Sequence, residues 1–234
     1  MSQLNRAIKQ VFRSFGLEIS RRQTVPSPLL YHRINLLLDV GANVGQYALS
    51  ARAEGYANRI VSFEPLPSAH EILTHAAKPD SSWFVHERCA LGSLAGETPI
   101  NISKNSYSSS LLPMLSSHSA AAPDSVYIGA ELTNVITLDS IFDRYRRSNE
   151  RVFLKIDTQG FEKEVLDGAS ASLNEIMCVQ LELSLVPLYE SQHLYDYFLE
   201  YLKNAGFDLW TIIPGFSDTR TGQLLQFDGV FFRK

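Results

Sequence analysis

The residues best placed to do chemistry begin with Asp39-x-Gly41-x-Asn43-x-Gly45. The apolar run Leu36, Leu37 and Leu38 leads into them. A short apolar run that ends abruptly in small residues reads as a buried parallel strand. Glycines after it let a ligand approach the backbone, and a helix starting near Gly45 offers free N–H groups. That helix carries Tyr47, Leu49 and Ala51. Asp39 falls at the carboxyl end of the strand, where open α/β sheets bind their ligands. An unliganded strand–turn–helix is the alternative, but an acid at a strand end is a poor choice for packing alone. The turn is not G-x-G-x-x-G, because Asn43 stands where the second glycine is needed, and no G-K-[ST] follows to make a phosphate loop. A pyrophosphate lacks its usual cradle. A nucleoside-type ligand with a positive or zwitterionic tail remains, and Asp39 is placed to face it.

A second acid, Glu64, ends the apolar run Ile60 to Phe63, 25 positions after Asp39, and Pro65 follows it. A carboxylate there can accept two ribose O–H bonds side by side. Alone it would read as a cap for the next helix. The third run, Ser82 to Gly92, places Cys89 and Ala90 at a strand's carboxyl end. Small residues there leave room for an adenine ring or serve packing. The fourth informative stretch is Val152 to Gly168. Its buried strand ends in Lys155, Ile156 and Asp157, and Glu182 ends the next strand. Ionisable groups at the end of a central strand serve a site or pair with each other, because burial without a partner costs several kcal/mol. A Lys–Asp or Lys–Glu pair that steadies the sheet is the second reading. Asp157 and Glu182 are also hard oxygen ligands for a divalent ion such as Mg2+.

The elements that must position these residues alternate strand and helix. Helices are expected at 67–77, 139–146, 161–166 and 191–205, with Ile72 and Leu73 inward in the first. Strands at 207–213 and 227–233 have no helical pattern between them, so a closing antiparallel pair is expected. Residues about 98–137 interrupt the rhythm with an edge strand, a Ser/Ala-rich loop and a further strand, as a lid or acceptor surface would. Segment 115–125 reads either as part of that surface or as a disordered excursion. His70 and His75 read as surface residues.

Residues 1–30 read as a helical extension and 31–234 as the main domain. Within the extension, Leu4, Ile8, Val11, Phe12 and Phe15 at helical spacing, with Arg6, Lys9 and Arg13, make residues 1–23 a basic amphipathic helix. It caps the core or touches an anionic membrane surface. A length of 234 residues suits one α/β domain with a small appendage. The formal net charge of −4 gives no global pull toward nucleic acid. Cys89 and Cys178 are the only cysteines and lack metal spacing, so a reducing cytoplasm is the default. No apolar run reaches the roughly 18 residues of a membrane span, and charges interrupt any signal-peptide core.

Three stretches together, Asp39-x-Gly41-x-Asn43-x-Gly45, Glu64-Pro65 and Leu154-Lys155-Ile156-Asp157-x-x-Gly160-x-Glu162-x-x-Val165-Leu166-x-Gly168, resemble the FkbM-type methyltransferases. Ser108-Ser109-Ser110-Leu111 and Val135-x-Thr137-Leu138-Asp139 are also similar. The resemblance runs from about residue 35 to 233. It implies the Rossmann-like class I methyltransferase sandwich, a mostly parallel seven-stranded sheet with the last strand antiparallel. It implies S-adenosylmethionine as methyl donor and a hydroxyl acceptor, often on a sugar or polyketide-derived ring. By the family pattern Asp39, Gly41, Asn43 and Gly45 serve the methionine part, Glu64 and Pro65 the ribose, and Cys89 and Ala90 the adenine. Asp157, Lys155 and Glu182 become candidates for activating the acceptor, either as a general base with a cationic partner or through Mg2+ on Asp157 and Glu182. Family members carry an acid where this chain has Gln159, and no role transfers there. Partners are then a small-molecule or glycan acceptor and no nucleic acid; the oligomeric state is open. A nicotinamide-dependent Rossmann enzyme and an S-adenosylmethionine-binding protein without catalysis are the competing readings.

Overall fold

The computed structural model describes Phe12 and residues 27–234. The basic amphipathic segment therefore lies outside the described residues, Phe12 excepted. The first described helix, α1 (Pro28–Tyr31), straddles position 30. Five parallel strands follow from the apolar runs: β1 (Leu36–Val40), β2 (Arg59–Phe63), β3 (Trp83–Val85), β7 (Val152–Ile156) and β8 (Ile176–Ser184). The chain closes with β9 (Phe207–Pro214) and β10 (Gln226–Arg233). These strands form one sheet in the order β3-β2-β1-β7-β8-β10-β9. β10 runs antiparallel to the other six strands. This is the expected class I methyltransferase architecture. The intervening helices are α2 (Gln46–Ala53), α3 (Pro67–Ala77), α5 (Leu138–Tyr145), α6 (Glu162–Asp167) and α7 (Tyr195–Asn204).

Strand periodicity explains the two cores. Leu36, Leu38 and Val40 point into one, with Leu154 and Ile156 from β7 beside them. Leu37 and Phe153 point into the other, against α2 and α3. Both faces are covered, so β1 reads as an unbroken apolar run rather than an alternating one. Register then places the charges: Asp39 of β1 lies level with Lys155 of β7. Level residues of paired strands share a face, so the two side chains meet.

The insertion is a second sheet of order β4-β6-β5, made of β4 (Ala90–Leu91), β5 (Gly96–Ser103) and β6 (Tyr127–Ile136). Segment 115–125 holds helix α4 (Ser116–Ala121) and a 3-10 turn at Pro123–Ser125.

Two expectations need correction. The third run is not one strand. β3 stops at Val85, because the polar His86, Glu87 and Arg88 cannot extend a buried strand, and Cys89 and Ala90 lead into the second sheet. Ile72 does not face inward: it is 54% exposed, while Leu73 is buried as expected. Helix α3 packs through Leu73 with Ala69 and Ala77, and α2 through Ala48 and Ala51, the small alanines letting each helix lie close to its neighbours. No helix among the described residues is long and apolar enough to cross a membrane. Cys89 and Cys178 are buried and unpaired.

Candidate active site

The carboxyl ends of β1, β2, β7 and β8 open into a cleft with about 860 Å³ of empty space, its mouth included. After β1 the chain turns through two left-handed residues, Gly41 at φ +72° and Asn43 at φ +47°. A Cβ on Gly41 would sit 1.9 Å from the Asp157 carbonyl oxygen, so only glycine lets the turns after β1 and β7 lie side by side. Gly45 has a different task. It starts α2 at φ +91°, beneath Trp83 and Leu73, and does not line the cleft.

Glu64 is bound where the sequence puts it. Its Oε2 accepts the Asn43 N–H at 2.7 Å and its Oε1 accepts the Leu66 N–H at 2.8 Å. Each oxygen keeps a lone pair, and the residue lines the cleft. Burial pushes its carboxyl up to about 7, against the pull of those two N–H groups. Pro65, Cys89 and Ala90 line the same wall as Phe63, Leu66 and Leu91, an apolar slot for a flat ring.

Asp39 and Lys155 are buried beneath this floor and do not line it. Lys155 Nζ lies 3.3 Å from Asp39 Oδ1 and 3.4 Å from Asp157 Oδ2. It also donates to the Gly41 carbonyl at 3.3 Å. Burial opposes its charge, but Asp157 and Asp39 outweigh that and hold it above the ordinary lysine value. The Asp39 Oδ1 contact is off line for a hydrogen bond, so that oxygen has an ionic partner and no hydrogen-bond donor. Asp39 thus reaches the cleft through Lys155 rather than directly.

Asp157 and Glu182 face the cleft together. The side-chain nitrogen of Gln159 donates to Asp157 Oδ1 at 2.8 Å and to Glu182 Oε2 at 2.6 Å. Gln226 adds a second donor to Glu182 Oε2 at 2.7 Å. Burial, with Asp157, Glu162 and Asp228 nearby, pushes Glu182 well above the ordinary carboxylate range. Among the described residues no group of three or more His, Cys, Asp or Glu side chains is arranged to hold a metal ion.

Sequence reasoning gave Gln159 and Glu162 no role and did not single out Asp228. Glu162 Oε1 accepts the N–H groups of Thr158 and Gly160 and so ties the turn after β7. The signal for Asp228 was an acid inside the apolar strand Phe227 to Phe231. Gln159 offers no comparable signal, since its partners are far away in sequence. The insertion contributes Ser106, Tyr107, Ser109 and Ser110 to the rim.

Among the described residues lining the cleft there are three carboxylates and no Lys, Arg or His. A paired phosphate would find no counter-charge here, whereas a cationic ligand would. The residues fit S-adenosylmethionine: a free diol acceptor in Glu64, an apolar slot beside it, and an anionic floor for a positive sulfur.

A family model described as the methyltransferase FkbM domain matches residues 39–209. No curated protein matches the chain in sequence. Solved structures are similar to the chain at low identity. One is a Streptococcus pneumoniae protein in complex with S-adenosyl-L-methionine, 10% identical, covering 84% of this chain and 65% of its own, with TM-score 0.46. Another is precorrin-6y C5,15-methyltransferase from Geobacter metallireducens, 12% identical, covering 86% of this chain and 80% of its own, with TM-score 0.42. TehB from Haemophilus influenzae is 9% identical, covering 88% of this chain and 60% of its own, with TM-score 0.46.

Proposed function

The chain belongs to the FkbM methyltransferase family, and on that premise we propose that it moves a methyl group from S-adenosylmethionine to a hydroxyl of a sugar or glycosylated small molecule. The observation that carries this reading is the make-up of the cleft. Its floor is anionic and its rim is neutral and hydrogen-bonding, with Ser106, Ser109, Ser110 and Gln159. Neutral donors and acceptors suit a polyhydroxyl acceptor. The absence of a cationic side chain among the described lining residues speaks against a nucleic-acid backbone or a dinucleotide.

When bound, S-adenosylmethionine supplies a methyl group on a positively charged sulfur, already activated for in-line displacement. Glu64 binds the ribose diol with its two remaining lone pairs. Phe63, Leu66 and Leu91 enclose the base, with Cys89 and Ala90 leaving it room. The turn at Gly41–Asn43 keeps the backbone low enough for the methionine end. A sugar hydroxyl is a weak nucleophile at neutral pH and needs a base. Asp157 takes that proton. Lys155, 3.4 Å beneath it, holds the carboxylate in place. Glu182 stands alongside as a proton-holding neighbour. The Ser-rich rim positions the acceptor and keeps water out.

The test pairs two variants. Purified Glu64→Ala should lose S-adenosylhomocysteine binding by on the order of 100-fold in isothermal titration, from two lost charge-assisted hydrogen bonds. Asp157→Asn should bind within a few-fold of wild type, while transfer from labelled S-adenosylmethionine to a panel of glycosides falls by roughly 10²- to 10⁴-fold. Full turnover by Asp157→Asn would remove it as the base. Binding of NAD in place of S-adenosylhomocysteine would reopen the nicotinamide reading, and binding without turnover on any acceptor class would favour a non-catalytic binding protein.

A further inference from the structure

Gln159 occupies an unusual backbone position. It is a long, non-glycine residue at φ +56°, directly before Gly160 at φ +96°. Left-handed backbone costs such a residue about 1–2 kcal/mol unless its surroundings hold it there. What holds it is a full set of hydrogen bonds. Its side-chain nitrogen bonds Asp157 Oδ1 and Glu182 Oε2. Its Oε1 accepts the Tyr189 hydroxyl at 2.9 Å, and its backbone carbonyl accepts the Ser110 hydroxyl at 2.7 Å. In this arrangement Asp157 Oδ1 and Glu182 Oε2 are the acceptors, so the NH2 faces them and the oxygen faces Tyr189. Tyr189 also reaches the Ser108 carbonyl at 3.2 Å. The 108–110 segment of the acceptor rim is therefore wired to the two carboxylates through one side chain.

We propose that Gln159 is a positioning residue of the transfer reaction, whose amide bridges Asp157 and Glu182 with a neutral donor and couples their spacing to the Ser108–Ser110 rim. The proposal rests on reading the cleft as the methyltransferase site. Its content is electrostatic as well as steric. Without the amide, Gln226 would still donate to Glu182 and Lys155 would still face Asp157, but no donor would bridge the two acids. A glutamine donates to both acids without adding a charge of its own. A carboxylate there would add one more negative charge and turn a donor into an acceptor. The groups that face Glu182 are Lys155 from β7, Asp157 from the turn after it, Glu162 from α6, Asp228 from β10, and Tyr189 from the loop after β8.

The measurement is carboxyl 13C NMR on the full chain labelled at Glu, with Glu182→Gln used to assign the Glu182 signal. Wild type, Gln159→Asn and Gln159→Glu are titrated with pH, and each is checked for S-adenosylhomocysteine binding. Asn tolerates left-handed backbone better than Gln, so Gln159→Asn keeps the turn while drawing the amide back by one methylene. The Glu182 midpoint should rise by about one pH unit in Gln159→Asn, because a hydrogen bond to its charged form is lost. It should rise further in Gln159→Glu, where a like charge replaces the donor. A Glu182 midpoint within about 0.3 units of wild type in both variants, with S-adenosylhomocysteine still bound, would overturn the role of Gln159. Loss of S-adenosylhomocysteine binding by wild type would instead overturn the methyltransferase reading beneath it. Should Gln159→Asn fail to fold, Tyr189→Phe removes the grip on Oε1 while keeping the ring, and the same upward direction is expected.

Discussion

At the scale of single residues, the site depends on one buried cation. Asp39 is fully buried, and Lys155 is the charge that answers it. Lys155→Met should leave that carboxylate unpaired and cost about 3–5 kcal/mol in urea unfolding. Adding Asp39→Asn should restore part of the loss, because the uncompensated charge is then gone. If Lys155→Met alone were neutral, the pair would be an accident of placement. A second prediction concerns pH. Burial raises Glu64 and Glu162 to about 7 from an ordinary 4.5. The folded state therefore binds more protons than the unfolded one between those values. Their stabilising contribution is fully present below about pH 4.5 and is lost as pH rises through about 7, at up to ~3 kcal/mol each. The melting temperature should fall between pH 5.5 and pH 8, and Glu162→Gln should flatten that slope. The protein thus carries its acids at a cost, as expected where they serve a ligand rather than the fold.

Among elements, the strands that carry the acids were legible and their neighbours less so. β1, β2 and β7 announce themselves as apolar runs ending in acids or glycine, because a strand covered on both faces has no polar face to alternate with. Helix α3 ends where proline and apolar spacing place it, at Pro67–Ala77. The same reading failed at Ser82–Gly92, where a break between two sheets depends on where β4 finds its partner in β6, more than 40 positions later. It failed at Ile72 because Ala69 and Ala77, weak in any hydrophobic count, share the packing with Leu73. Gln159 was illegible for a related reason: its partners Glu182, Tyr189 and Ser110 come from two other loops and a strand end. The turns after β1 and β7 make a prediction at this scale. Gly41→Ala combines left-handed strain with a Cβ placed 1.9 Å from the Asp157 carbonyl. Together these should cost about 2–4 kcal/mol in thermal unfolding and push the Asp157 turn outward. S-adenosylhomocysteine binding should weaken in the same variant; a variant as stable as wild type would mean the two turns are not in contact.

Across the whole molecule, the cleft is a seam between the seven-stranded sheet and the three-stranded one. The seven-stranded sheet supplies Glu64, Asp157 and Glu182, while the insertion supplies the hydroxyl rim. Among the bonds that join the two parts are Asn43 to Ser106, Ser110 to Gln159 and Tyr189 to Ser108, with a backbone bridge between Met114 and Tyr189. A ligand lying in the seam contacts both parts at once, so binding should stiffen both at once. Hydrogen exchange measured with and without S-adenosylhomocysteine tests this directly. At a ligand concentration of about 100 times the dissociation constant, any opening that releases ligand becomes harder by about 2.7 kcal/mol, roughly 100-fold in rate. Amides of 157–162 and those of 104–112 should slow together, whereas the exposed turn near Gly222 should not change. Slowing confined to 157–162 would mean that the donor binds without engaging the insertion. The rim would then be ordered only by the acceptor, and the hydroxyl-bearing substrate, rather than the donor, would close the seam.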